Sequence, residues 1–203
     1  KYTLINPSKI DNYGRVLTKL RKKDTTYRTI LETDLSECGV FIDIYMIENT
    51  YNFKPFRYVH GLCCLMAGFL LSCRRAYDKQ DIYIMLCGNS KKELYLFKFK
   101  KIIGKLLSAF SVSQVAKLVD TCYGFCKNSK SRYITIPSDD LGYFFGNIYQ
   151  REDFFKEEIA LFEGRSVYLP GNYKSYLKDK YGDYMLVPQK ENRKYPLYLE
   201  FKL

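Results

Sequence analysis

From Gly39 to Ile47 the chain reads Gly-Val-Phe-Ile-Asp-Ile-Tyr-Met-Ile, a run of β-branched and aromatic residues that predicts a strand, with a turn at Glu48-Asn-Thr. Its period of two sets Val40, Ile42, Ile44 and Met46 on one face and Phe41, Asp43 and Tyr45 on the other. Apolar residues then crowd the stretch from Phe53 to Asp78, with no Pro after Pro55, and predict a long buried helix whose end is marked by Arg74 and Arg75. Lys91 to Lys105 mixes aromatics with lysines and predicts an amphipathic helix. Ser111-Val-Ser-Gln114 has the spacing of a capping box and opens a further helix through Val119, with Gly124 near its end. Short strands are expected at Ser131–Pro137 and Ser166–Pro170, and a helix after Pro170-Gly-Asn that stops at Gly182.

Alternating strands and helices give the class α/β (α+β). The 203 residues suffice for one ordinary domain, 1–203, and neither a repeat nor a Pro- or Gly-rich linker divides them. The uncharged stretch Val59 to Cys73 rises only about 22 Å as a helix, short of a bilayer's hydrocarbon core, and so reads as buried.

Charge adds a constraint on partners. Lys and Arg total 33 against 22 Asp and Glu, a net +11, which calls for an anionic partner: nucleic acid, lipid headgroups or a phosphorylated small molecule. No RNA-recognition, zinc-finger or OB signature appears, so nucleic acid is not the expected one. Seven Cys without paired C-x-x-C spacing indicate a reducing compartment, and hence a cytoplasmic location, with contact to an anionic membrane face open to the lysines. The single histidine, His60, lies within an apolar helix and reads as a satisfied core residue; with no G-x-S-x-G elbow, serine-hydrolase and cysteine-protease readings have little support. Glycine-rich phosphate loops are absent as well.

Three segments remain. Asp43 in an apolar strand calls for compensation, by a divalent ion, by backbone N–H groups or by an Arg. Lys19-Leu-Arg-Lys-Lys-Asp-Thr-Thr-Tyr27 sets cations beside two adjacent hydroxyls, which suits phosphate oxygens or equally a solvated turn. The run Phe162 to Met185 combines a strand, a helix and a tight turn.

In this order the segments resemble the LicD family of phosphotransferases, to which fukutin is related. Leu17–Tyr27 is similar to its K-x-R-x-x-x-T-T stretch and Gly39–Tyr45 to its G-I-F-I-D-I-F strand. Phe162-Glu-Gly164, Pro170, Tyr176-Leu177, Tyr181-Gly-Asp-Tyr-Met185, Pro188 and Arg193 resemble its C-terminal signature. The resemblance implies a nucleotidyltransferase-like mixed sheet flanked by helices. It also implies transfer of a phosphorylated alcohol, such as phosphocholine, from a CDP-activated donor to a cell-surface glycan or teichoic-acid-like acceptor. Asp43 would then hold Mg2+ or Mn2+ as the catalytic carboxylate, with Arg21, Lys22, Thr25, Thr26 and Arg193 on the substrate. The family's D-x-D pair, which precedes the matched strand, has no counterpart in this sequence. Asp139 and Asp140 are adjacent and on an extended chain point to opposite faces, and Tyr195 stands where relatives often carry His. The expectation is therefore the C-terminal part of a longer domain or a shortened relative, the alternative function being a non-catalytic binder of an anionic glycan or nucleotide.

Overall fold

The computed structural model describes residues 1–6, 16–29, 38–139, 142–193 and 198–202. Asp140 and Tyr195 lie outside the described residues. The chain opens with strands β1 (Tyr2–Ile5), β2 (Thr18–Lys22), β3 (Thr26–Thr29), β4 (Phe41–Ile44) and β5 (Glu48–Thr50). Helices α1 (Lys54–Asp78), α2 (Gln80–Cys87), α3 (Lys91–Leu106) and α4 (Val112–Tyr123) follow. Beyond them come β6 (Tyr133–Thr135), α5 (Tyr143–Gly146), β7 (Ile148–Gln150) and α6 (Arg151–Phe155). The end of the chain holds β8 (Glu157–Phe162), β9 (Arg165–Pro170), α7 (Tyr173–Tyr181) and β10 (Tyr198–Lys202). The class is a mixture of strands and seven helices among the described residues, as expected. In place of one mixed sheet, the described strands form four small antiparallel sheets, ordered β1-β2-β4, β10-β3, β5-β6-β7 and β8-β9.

The strand expected over Gly39–Ile47 is split. Only Phe41–Ile44 pairs with β2, and Glu48–Thr50, expected to be a turn, is a strand of a different sheet. Its faces are also inverted relative to ordinary burial, with Ile42 and Ile44 exposed while Phe41 and Asp43 point to the half-buried side. The reason lies in the partner strand, which turns Lys19 and Arg21 inward rather than Thr18 and Leu20.

The helical core is built on local rules. Pro55 opens α1 at a position that has no intrahelical N–H bond to lose. Ser111 and Gln114 form the reciprocal capping box that starts α4, the hydroxyl accepting from the Gln114 N–H and the Gln114 amide oxygen from the Ser111 N–H. Cys64, Ala67 and Leu71 of α1 pack on Val115, Ala116 and Val119 of α4, with Phe144 closing the cluster. The outer face of α1 is exposed, so this helix is not buried all round, and at 25 residues it rises about 37 Å, more than its uncharged centre alone indicated. It is long and apolar enough to cross a membrane, yet its inner face packs on α4 and α3.

α3 crosses α1 at close range because Gly104 has no side chain: a Cβ there would sit 2.2 Å from the Cys73 carbonyl oxygen. Gly68 on α1 has nothing within 4 Å of the same position. An alanine ordinarily stabilises a helix interior over glycine by about 0.5–1 kcal/mol. Gly68→Ala is therefore expected to raise stability by about that amount, whereas Gly104→Ala, which must push two helix backbones apart, is expected to lower it by about 1–3 kcal/mol. Urea unfolding of both variants measures the difference; equal effects of the same sign would contradict the close crossing.

Candidate anion-binding site

Antiparallel pairing with β1 and β4 places Thr3, Ile5, Lys19, Arg21, Phe41 and Asp43 on one face of the first sheet. Lys19 and Arg21 are each 1% exposed, which is costly for charged groups without compensation. Phe41 supplies part of it: the Lys19 Nζ lies 3.3 Å above its ring centroid and the Arg21 guanidinium 4.9 Å. Arg21 Nη1 also donates to the Gly39 carbonyl at 2.9 Å. The Asp43 carboxylate sits opposite Lys19, with its Oδ1 3.7 Å from the ammonium and accepting no hydrogen bond.

At the end of β2 the chain turns through Lys23 and Asp24, the latter with φ of 63°, before entering β3 in another sheet. Thr25 holds this turn. Its hydroxyl donates to the Lys22 carbonyl at 2.8 Å and accepts from the Val40 N–H at 3.0 Å. Gly39 passes so near that a Cβ would lie 2.0 Å from the Lys22 oxygen, so only glycine fits the crossing. Together these segments enclose a cavity of about 260 Å3 at the strand end. Arg21, Lys22, Lys23 and Arg28 face it against the one carboxylate of Asp24, and Thr3 and Thr26 add hydroxyls. The Thr3 oxygen is buried without a hydrogen-bond partner.

Four residues singled out in the sequence therefore meet at one cavity: Arg21, Lys22, Thr25 and Thr26. Thr25 does so as a clamp, since its proton is committed to the Lys22 carbonyl. Asp43 is on the same sheet face as Arg21 but does not line the cavity, and Lys19 is the cation that offsets it. Arg193 lies on an exposed segment, its Nε donating to the Pro188 carbonyl, and it does not line the cavity either. Thr3, Lys23 and Arg28 were not anticipated. Lys23 lay within the basic segment, whereas Thr3 enters only through its pairing with Arg21, which no local pattern announces.

Among the described residues no three His, Cys, Asp or Glu side chains converge. A separate buried pair, Asp139 with Lys180, ties the loop after β6 to α7, and burial lowers the Lys180 pKa. Next to it burial pushes Tyr149 and Tyr176 up to about 12, far from a proton-transfer role near neutrality. None of the seven cysteines forms a disulfide. No family model matches the sequence, and no curated protein and no solved structure matches it either.

His60 is structural, as its apolar surroundings indicate. Its Nε2 faces the carbonyl oxygens of Cys122 and Tyr123 at 2.9 and 3.2 Å, which only accept, so Nε2 carries the proton and Nδ1 accepts from the Thr50 hydroxyl at 3.2 Å. Burial holds its pKa below the ordinary 6.5, the two carbonyls opposing. The unfolded chain therefore takes up this proton first, and the stability due to neutral His60 is present above about pH 6.5 and is lost as the pH falls toward the depressed folded value. Glu48, raised by burial and by Asp120, titrates in the opposite sense. The difference between parent and His60→Gln isolates the histidine: denaturant midpoints are expected to converge as the pH falls from neutrality to below 6.5. A gap between them that stays constant over that range would show that the ring is not held neutral.

Proposed function

We propose that the chain takes part in LicD-type transfer, binding the diphosphate of a CDP-activated alcohol in the cavity at the end of β2. A nucleotidyltransferase-like arrangement and action in the cytoplasm, with a cell-surface glycan as acceptor, go with this reading. The observation that carries it is the convergence on one small cavity of Arg21, Lys22, Lys23 and Thr26, from the segment that resembles the family's K-x-R-x-x-x-T-T stretch, with Thr3 and Arg28 joining from outside it. Arg21, held by Gly39 and Phe41, is pre-placed, so no side-chain ordering opposes its use. Lys22 and Lys23 are exposed and bring charge to the mouth. In such a transfer the acceptor hydroxyl oxygen forms a new bond to the phosphorus in line with the departing CMP oxygen, and the hydroxyl proton is released to water. The P–O bond to CMP breaks, and the electron pair stays on the CMP phosphate. Fixed cations beside that oxygen stabilise the charge as it develops.

A second reading, a binder of an anionic nucleotide or glycan without turnover, is favoured by the contact between Asp43 and Lys19, which sets a protein cation rather than a metal beside that carboxylate. Calorimetry with CDP-choline separates the two, since binding strengthened by Mg2+ or Mn2+ fits the transferase and binding indifferent to them fits the binder. In either case Lys22→Ala with Lys23→Ala is expected to weaken binding at least tenfold, each charged hydrogen bond contributing about 1.5 kcal/mol or more. Undiminished binding by that variant would remove the cavity from the function.

A further inference from the structure

The outward face of α3 has a composition that water alone does not favour. Phe97 and Gly104 are its buried residues and define the side turned to the protein. On the opposite side, Tyr95, Phe99, Ile102 and Leu106 recur at intervals of four, three and four, which aligns them in one stripe along the helix. They are 78%, 50%, 65% and 78% exposed. The stripe extends onto the neighbouring helix, because the Phe99 ring lies 6.5 Å from that of Phe69 on α1. The preceding helix adds to it in kind: no residue of α2 is buried, although Ile84, Met85 and Leu86 form its last turn but one residue.

Lysines border the stripe on both sides. At helical spacing Lys91, Lys98 and Lys105 fall along one flank and Lys92 on the other, while half-buried Lys101 lies nearer the side turned to the protein. None of the five forms an ion pair with a described residue. Beyond that flank Lys100 turns back to the protein and donates to the Ser72 hydroxyl at 3.0 Å.

We propose that this face of α3 docks on an anionic phospholipid surface, lying in the interface with the apolar stripe among the acyl chains and the lysines at headgroup level. An apolar strip flanked by long cationic side chains is the pattern that suits this environment, since Lys stems lie along apolar surface while the ammonium groups reach phosphate. The charge pattern selects against the other occupants. A second copy packed stripe to stripe would bring lysine rows of like charge together, and a nucleic-acid backbone would leave the apolar stripe in water. None of these residues lines the cavity at the end of β2, so the inference stands apart from the reading of that site.

The chain contains no Trp, so Tyr95→Trp introduces a single reporter on the stripe. Mixed with phosphatidylcholine vesicles containing about one third phosphatidylserine, it is expected to shift its emission to the blue and to co-sediment at least tenfold more tightly than with phosphatidylcholine alone, the difference shrinking as salt is added. Ile102→Glu with Leu106→Glu, both at exposed positions, is expected to reduce vesicle binding at least tenfold while keeping the far-UV circular dichroism of the parent. Should that variant lose its fold, Lys98→Glu with Lys105→Glu provides the same reading from the flank. Equal binding to both vesicle types, no emission shift, or variants that bind as the parent does would overturn the proposal. So would a lipid-free dimer that Ile102→Glu with Leu106→Glu makes monomeric, which would assign the stripe to a second copy.

Discussion

Everything at the front of this molecule is arranged around two cations placed inside. Lys19 and Arg21 point to the inner face of the first sheet, and the aromatic ring of Phe41, the carboxylate of Asp43 and the carbonyl of Gly39 are the groups that make this tolerable. Neighbouring choices follow from that placement. β4 must present Phe41 and Asp43 to the same side, which sends Ile42 and Ile44 outward. Gly39 must remain without a side chain so that its carbonyl reaches Arg21 while the backbone clears Lys22. A buried cation held in this way is expensive to assemble and specific once assembled, because removal of any one compensating group leaves charge in a poorly solvated place.

The sequence was most informative where structure is decided locally. Ser111 with Gln114, Pro55 and Gly182 each act within a turn of their own position, and the helices they start or stop lie where the pattern placed them. It was least informative where partners are distant. β3 pairs with β10, so Tyr27 meets Phe201 across most of the chain's length, and nothing near either residue signals the meeting. α2 escaped notice because Ile82 to Cys87 is apolar on every side and has no helical period to detect.

The candidate site divides along the same line. The segment from Arg21 to Thr26 was legible because its cations and hydroxyls are contiguous, and contiguity survives folding through a tight turn. The role of Asp43 was not. Alternation told that it lies on an apolar strand, but only the register with β2 reveals that Lys19 sits opposite, and register is a property of two strands rather than one. Thr3 joins the cavity for the same reason, brought there by its pairing with Arg21, whereas Arg28 arrives along β3, two residues beyond Thr26.

The contact at Gly104 has a mechanical meaning. With the α3 backbone resting on the Cys73 carbonyl, no layer of pliable side chains separates the two helices at that point. A load applied to the outer helix therefore passes to α1 as a displacement of main chain, and from there to His60, whose ring is pinned between Thr50 and the end of α4. The helical half responds to such a load as a stiff lever rather than a cushion.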